Sequence, residues 1–494
     1  MEAFLRRFFL LDERGTTVAT EVRAGVVTFM TMAYIIVVQP IVLMNAGMPL
    51  KAVMLATCLS SAFATVLMGV LANYPIALAP AMGHNFYFTL LVTSGVAPNW
   101  QVALGANFIS GALFIVLSLF GFRERIIRAV PDSLKYAIAV GIGLLIALVG
   151  FQMAGFVAVN AENPMATGLK MGTLGKPALL AAMGLALTSA LMAFKVRGAI
   201  LIGLVGTAVL GIPMGLVRPA ASLISAPPWS ELLHTALALD IAGALRLGLV
   251  GVIFTFFFLD LFDTVGTLIG VSQQAGLMVN GQLPRARQAL FSDAAGTVAG
   301  TLLGTSTITS YIESSAGVSE GGRTGLANVV TALLFVAAVF FSPCVEMIAG
   351  GAPTTEEFRL EHFDGAWEAR RSTDGQAASS ETPLAAPKDS ALVVRRLKVL
   401  SPVTAPTLIL IGCLIVSAVV HIPWNDWTEA VPAFLAIMMM PLTGNITEGI
   451  AFGFIAYGFL KLITGRVREA SPWLLVFAAL FAARYAYQAL HGAI

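Results

Sequence analysis

Apolar runs long enough to span a bilayer recur along almost the whole 494-residue chain. They lie at about 24–44, 52–72, 76–94, 101–121, 133–153, 177–194, 198–216, 245–271, 289–304, 325–343, 404–422, 429–443 and 445–464. A hydrocarbon core about 30 Å thick takes roughly 20 helical residues, so each run reads as a membrane segment. The weaker stretch Gly304–Gly325, rich in Ser, Thr and Gly, reads as a short or broken helix and brings the total to fourteen. A further apolar stretch, Trp473–Leu490, either spans or lies on the surface, and its Arg484 and two tyrosines favour the interface. The runs are continuous rather than alternating, which excludes an outer-membrane barrel. The fold class is therefore an all-α polytopic membrane protein.

Composition supports the same class. Hydrophobic residues make up 57% of the chain and charged residues 11%, against roughly 25% charged in soluble domains. A soluble protein of this size has no interior large enough for that much apolar surface. Of the 56 charged residues, 15 fall within 354–398. That polar insert is expected to be water-exposed, flexible and outside any transport mechanism. The net charge of +2 argues against nucleic acid as a partner. Cys58, Cys344 and Cys413 show no metal-ligand spacing and read as small core residues. The stretch Met1–Arg23 is too polar for a cleavable signal peptide.

Basic residues give the orientation. Arg6, Arg7, Arg14 and Arg23 precede segment one. Arg123, Arg125 and Arg128 follow segment four, Lys195 and Arg197 follow six, and Arg285 and Arg287 follow eight. Arg323 follows ten, and Arg466 and Arg468 follow fourteen. All these loops lie on the side of the N-terminus, which is expected to be cytoplasmic. Arg395, Arg396 and Lys398 do not fit, but they end the long insert, and long loops translocate largely regardless of charge.

A faint internal repeat accompanies this pattern. Ala129-Val130-Pro131 opens segment five, and Leu400-Ser401-Pro402 opens segment twelve. Segments three and ten are both irregular. An offset of seven segments inverts one half relative to the other. Inverted repeats with paired broken helices point to a secondary transporter with its site near the midplane.

Three regions carry candidate chemistry. Segment eight holds Asp260 and Asp263 three residues apart, with Thr264 and Thr267 extending their face. An acid inside the bilayer costs several kcal/mol and is a functional hypothesis by default. Two nearby carboxylates cannot both ionise cheaply there. The pair suits proton coupling, a hydrogen bond to a substrate N–H, or a cation; a polar clamp between helices is the structural alternative. Segment ten holds Glu313 among hydroxyls and glycines, and a helix starting near Ser314 would aim backbone N–H groups at a ligand. Glu313 could instead cap that helix. Glu320 and Arg323 read as an interfacial pair or anchors. Segment three contains Gly83-His84-Asn85-Phe86 after a break at Pro80. Asn85 can donate and accept, Phe86 can stack on a flat ring, and His84 is either a core histidine or a proton relay. Lys135, Lys461 and Glu346 read as snorkelling at segment ends. Asp293 reads as an N-cap, and Glu448 as a structural residue at an interface. No nucleotide loop, zinc motif or Ser–His–Asp pattern is present, so neither an enzyme nor a cofactor is expected.

The runs FMTMAYIIVVQP (29–40), FLDLFDTVGTLIGV (258–271), SYIESSAGV (310–318), GGRTGLANVVTALLF (321–335) and MMPLTGNITEGIAFGFIAYGFLKLITG (439–465) resemble those of the azaguanine-resistance-like purine permeases. These belong to the nucleobase–ascorbate transporter superfamily. The resemblance covers nearly the whole chain. It implies the uracil-permease fold, with two inverted repeats of seven helices and separate core and gate domains. The expected layout is a cytoplasmic N-terminus (1–23), core helices one to four (24–121), gate helices five to seven (133–216) and core helices eight to eleven (245–343). The polar insert (354–398), gate helices twelve to fourteen (404–464) and an extra C-terminal apolar segment (472–490) follow.

The resemblance further implies proton symport of bases such as adenine, guanine and hypoxanthine, with sodium left open as coupling ion, by a homodimer in the cell membrane (the inner membrane in a bacterium). Residue by residue, it makes Asp260 the acid that binds the base and Asp263 the second acid, for structure or coupling. It makes Glu313 the segment-ten partner of the purine, with Ser314 beside it. Gly83 and Asn85 match the small residue and the Asn of segment three, and Phe86 aligns with an aromatic flanking the base. His84 and Phe86 depart from the family's usual Leu and Ala, which bears on substrate range. Two other readings compete. An anion transporter or channel of the same architecture would need a neutral or electropositive site, and a lipid-acting enzyme would need a constellation at the membrane boundary.

Overall fold

The computed structural model describes residues 2–119, 130–159, 169–172, 174–220, 222–246, 250–278, 283–349, 354–363, 366–371, 392–398, 401–444 and 446–491. Arg123, Arg125 and Arg128 of the orientation pattern lie outside them. Among the described residues, eight helices are long and apolar enough to cross a membrane.

After α1 (Glu2–Phe9), α2 (Val18–Met32) and α3 (Ile35–Met44) form the first apolar span together. α4 (Leu50–Leu67) ends in a π turn at Met68–Ala72. Strand β1 (Leu78–Pro80) leads into α5 (Met82–Thr93), and α6 (Trp100–Leu119) follows. Next come α7 (Asp132–Met153), the antiparallel pair β2 (Val157–Val159) and β3 (Leu169–Met171), α8 (Lys176–Ala193) and α9 (Ala199–Gly211). The short α10 (Trp229–Leu232) and α11 (Ile241–Arg246) precede α12 (Val250–Gln274) and α13 (Ala286–Leu303). Strand β4 (Ile308–Ser310) leads into α14 (Ser314–Ser319), and α15 (Gly325–Ala338) and α16 (Ser342–Ala349) complete that stretch.

The segment expected to be a flexible insert carries a three-stranded antiparallel sheet, with β5 (Thr354–Phe363) between β6 (Ala366–Arg371) and β7 (Leu392–Lys398). The chain ends with α17 (Ala405–Val416), α18 (Trp427–Thr443), α19 (Ile446–Ile463) and α20 (Pro472–His491).

Segments three and ten are each a strand followed by a short helix, as their prolines, glycines and hydroxyls suggest. The two strands pair antiparallel, with Leu78 opposite Ser310, Ala79 opposite Thr309 and Pro80 opposite Ile308. Irregular backbone inside a membrane protein survives only where its N–H and C=O groups find partners. Two threonines supply them in the same way. Thr65 on α4 accepts from the Leu78 N–H at 2.9 Å and donates to the Leu78 carbonyl at 3.0 Å. Thr297 on α13 accepts from the Ile308 N–H at 3.1 Å and donates to its carbonyl at 2.9 Å. Thr65→Val or Thr297→Val keeps the shape and orphans both peptide groups. Each is expected to cost roughly 1–3 kcal/mol, read as a lower melting temperature of the detergent-purified protein, while Thr→Ser at either site stays near wild type.

The helices pack in two groups. α2, α3, α4, α6, α13, α14 and α15 lie against one another, and α7, α8, α9, α17, α18 and α19 form the second set. In the second set, α7 and α17 cross closely at glycines. A Cβ on Gly412 would lie 2.5 Å from the Gly143 carbonyl oxygen, so only small residues allow this approach.

Several charged residues differ from expectation. Asp293 is not an N-cap, because the helix begins about two turns earlier, at Ala286, and leaves Asp293 buried in its interior. Lys461 does not snorkel. It is fully buried and pairs with Glu429 at 2.7 Å and Glu469 at 2.8 Å. Glu320 pairs with Arg197 rather than Arg323, whose guanidinium instead donates to the carbonyls of Val318 and Gly322. Lys135 and Glu346 pair with Asp132 and Lys51 near the segment ends. Helix α20 spends Arg484 and Tyr485 on the Glu448 carboxylate. Its Phe477 and Phe481 pack on Phe254 of α12, and Phe481 also meets Phe454 of α19.

Candidate functional site

The two broken helices and α12 meet around the β1–β4 pair. Tyr311 ties them, its hydroxyl donating to the Pro80 carbonyl and its N–H to the Ala77 carbonyl at 3.0 Å. Ser314 is fully buried, and its hydroxyl accepts from the Ala77 N–H at 3.0 Å. That side chain fixes the backbone around the site.

Asp260 and Asp263 share α12, but one turn parts their surroundings. Asp260 is buried, while Asp263 is exposed. Thr264 Oγ1 lies 3.4 Å from Asp260 and 2.8 Å from Asp293. A hydroxyl has one hydrogen, and the shorter contact takes it. Thr264 therefore donates to Asp293, and Asp260 lies beside the same hydroxyl. Asp293 also accepts from the Ser310 N–H at 3.0 Å and lies near the Ser310 hydroxyl at 3.3 Å, so it anchors β4. Asp263 accepts from Thr309 of the same strand at 3.4 Å.

From Asp263 one face of α12 stays exposed through Gly266 and Gly270 to Gln273 and Gln274. The exposed residues described on this face are polar or lack a side chain, which suits water better than lipid. Asp263 stands at its inner end.

Glu313 precedes α14 and makes no side-chain cap bond, so the cap reading does not describe it. Its carboxylate accepts from the Tyr34 hydroxyl at 2.7 Å. Its carbonyl accepts from Thr31 at 3.3 Å. Segment one thus positions Glu313.

On α5, Gly83 faces α7, where a Cβ would lie 3.0 Å from Ile142. His84 is buried and stacks on Phe256 of α12, ring centroids 6.5 Å apart and planes 15° apart. Phe86 is half-buried against the core. Asn85 is fully buried and accepts from Ser306. Tyr87, next along, contacts α12 at Phe256 and lies 3.5 Å from Thr447 of α19.

Three polar residues in this region escaped the sequence reading. Asp293 gave the same signal as Asp260, an acid in an apolar run, but its position near an expected helix start concealed it. Gln39 and Glu21 lie in segment one, outside the three regions singled out. Gln39 reaches Thr305 and Ser306. Glu21 accepts from the N–H groups of Arg323, Thr324 and Ala327 at the start of α15, at 2.8, 3.3 and 3.3 Å. A carboxylate there meets the positive end of the helix dipole.

Comparison with known proteins gives consistent results. A sequence model described as a permease family, Xan_ur_permease, matches residues 19–354. The chain is 38% identical over 481 residues to the adenine permease AdeP of Escherichia coli K12, covering 97% of this chain and 95% of that protein. It is 38% identical over 477 residues to the guanine/hypoxanthine permease PbuO of Bacillus subtilis 168, covering 96% and 98%. Among solved structures, the transmembrane domain of the cyanobacterial bicarbonate transporter BicA aligns with a TM-score of 0.56 at 13% identity, over 87% of this chain and 97% of that one. Murine Slc26a9, an anion transporter in the inward-facing state, aligns with a TM-score of 0.54 at 10% identity, over 90% and 68%. These structural likenesses establish a shared fold.

Proposed function

Because the chain belongs to the Xan_ur_permease family of permeases, we propose that it is a secondary transporter importing purine nucleobases of the adenine, guanine and hypoxanthine class by proton symport. The observation that carries the site is the convergence of acids from α12, α13 and segment ten on the paired broken helices, beside Asn85. A neutral purine offers N–H donors and ring-nitrogen acceptors on its edges and two apolar faces. Asp260 and Glu313 accept from its N–H groups, Asn85 supplies an amide, and Phe86 covers a face. Asp263, at the inner end of the exposed stripe, exchanges the coupling proton with water.

The fourteen segments form two inverted repeats of seven. The matching roles of Thr65 on segment two and Thr297 on segment nine support that reading. The first packing group together with α5 and α12 is the core, and the second is the gate. Rocking of one against the other gives alternating access. With the N-terminus cytoplasmic, α12 ends at the cytoplasmic face, so the exposed stripe corresponds to an inward-facing state. The working unit is a homodimer in the cell membrane.

An anion transporter with this architecture is the second reading, and the acids at the site oppose it. The test is uptake by the purified protein in proteoliposomes. Labelled adenine or hypoxanthine should accumulate under an inward proton gradient, and a protonophore should abolish accumulation. Sodium dependence without proton dependence would replace the coupling ion. Bicarbonate or sulfate uptake with no purine uptake would overturn the proposal.

A further inference from the structure

We propose that Gln39 is a positioning residue that, through Ser306, fixes which end of the Asn85 amide is offered to the bound base. The inference rests on the nucleobase reading above and specifies the polarity of one contact in that site.

The hydrogen bonds run in one direction. Gln39 Nε2 donates to Thr305 Oγ1 at 2.9 Å and to Ser306 Oγ at 3.0 Å. Thr305 Oγ1 in turn lies 3.4 Å from Thr57 Oγ1, which can take its hydrogen. Ser306, having accepted from Gln39, donates its single hydrogen to Asn85 Oδ1. The acceptor end of the Asn85 amide is thereby used. The donor end, Nδ2, is buried and has no acceptor among the described residues. A buried donor without an acceptor is costly unless a bound group supplies one. Nδ2 therefore meets a ring-nitrogen acceptor on the base. Asp260 and Glu313 take the opposite role and receive N–H groups. The amide thus complements the acids, and the site discriminates edges by polarity as well as by shape.

The chain of donors also shows how to reverse it. Gln39→Glu puts an acceptor-only group opposite Ser306. Ser306 then gives its hydrogen to the new carboxylate, and Asn85 turns its NH2 toward Ser306 and offers Oδ1 to the site. Ser306→Ala breaks the tie and leaves the amide free to turn.

The experiment is competition for labelled purine uptake in proteoliposomes. The competitors are four analogues, each with one ring nitrogen of the purine replaced by C–H. In the wild type, one analogue should compete roughly tenfold or more weakly than the parent base, because its C–H faces the Asn85 donor. In Gln39→Glu and Ser306→Ala that penalty should fall below about threefold, while the ranking of the other three analogues persists. A folding defect alone would lower labelled uptake and leave the ranking of the competitors unchanged. If no analogue stands out in the wild type, the donor is met by water and the proposal fails. If the same analogue keeps its full penalty in both variants, Gln39 does not set the amide and the proposal also fails. If no purine competes with wild-type uptake at all, the nucleobase reading falls first and this inference with it.

Discussion

Glu313→Ala and Asp260→Ala should each reduce nucleobase uptake roughly ten- to a hundredfold in a cell assay, with the protein still present in the membrane. The magnitude follows from losing a charge-assisted hydrogen bond to the base, worth about 1.5–3 kcal/mol. For Glu313 there is a second loss. Its carboxylate accepts from Tyr34, so alanine also leaves a hydroxyl of segment one without its acceptor. Glu313→Gln keeps an acceptor for Tyr34 and should retain measurable uptake with a raised KM. Uptake of labelled adenine and hypoxanthine, normalised to membrane-resident protein, reads both effects. Wild-type uptake by either alanine variant would remove that residue from the site.

The largest effect on stability is expected at Lys461. Its ammonium is fully buried between Glu429 and Glu469, donates to Thr428 at 2.9 Å and lies 5.2 Å from the Tyr457 ring centroid. Glu429 in turn accepts from Ser133 of α7, so the network joins α7, α18 and α19. Removing one member of a buried pair leaves an uncompensated charge, at about 3–5 kcal/mol. Lys461→Met should therefore lower the melting temperature sharply and reduce the yield of folded protein. Lys461→Met combined with Glu429→Gln should recover a substantial part of the loss, since the more deeply buried carboxylate is gone and Glu469 keeps its pair with Arg466 at 2.9 Å. The neighbouring Asp426 stays charged throughout, because its bond from the Thr428 hydroxyl, aided by Arg466, holds its carboxyl down at about 2. A Lys461→Met protein that melts with the wild type would show that the network contributes little.

Much of this molecule was legible because membrane burial imposes strong rules. Apolar length marked the spans. Scarcity of charge made Asp260, Asp263 and Glu313 conspicuous, and prolines and glycines located the two breaks. What stayed hidden depended on where a side chain points. Asp260 and Asp263 are three residues apart, yet one is buried beside Thr264 and the other opens onto an exposed face. Spacing alone treats them as one pair. Lys461 sits near a helix end, where snorkelling is the cheaper default, and only the fold brings Glu429 and Glu469 to it. Closeness in sequence sets Glu320 beside Arg323, but Arg197, from the other packing group, reaches it instead. Tertiary partners decide such cases, and a linear pattern does not contain them.

Thr65 and Thr297 also bear on how such a chain can diverge. Each places one oxygen between the N–H and the carbonyl of a single strand residue. Few side chains can do both at that distance, and serine is the nearest substitute. Lipid-facing positions are under no such restriction, since one aliphatic group serves there as well as another. Sequence drift can therefore rewrite most of the surface while these two positions stay fixed. The two broken helices would keep the same atom in the same role long after their other residues had ceased to look related. A saturation-mutagenesis screen for transport should find both positions tolerant of serine and little else.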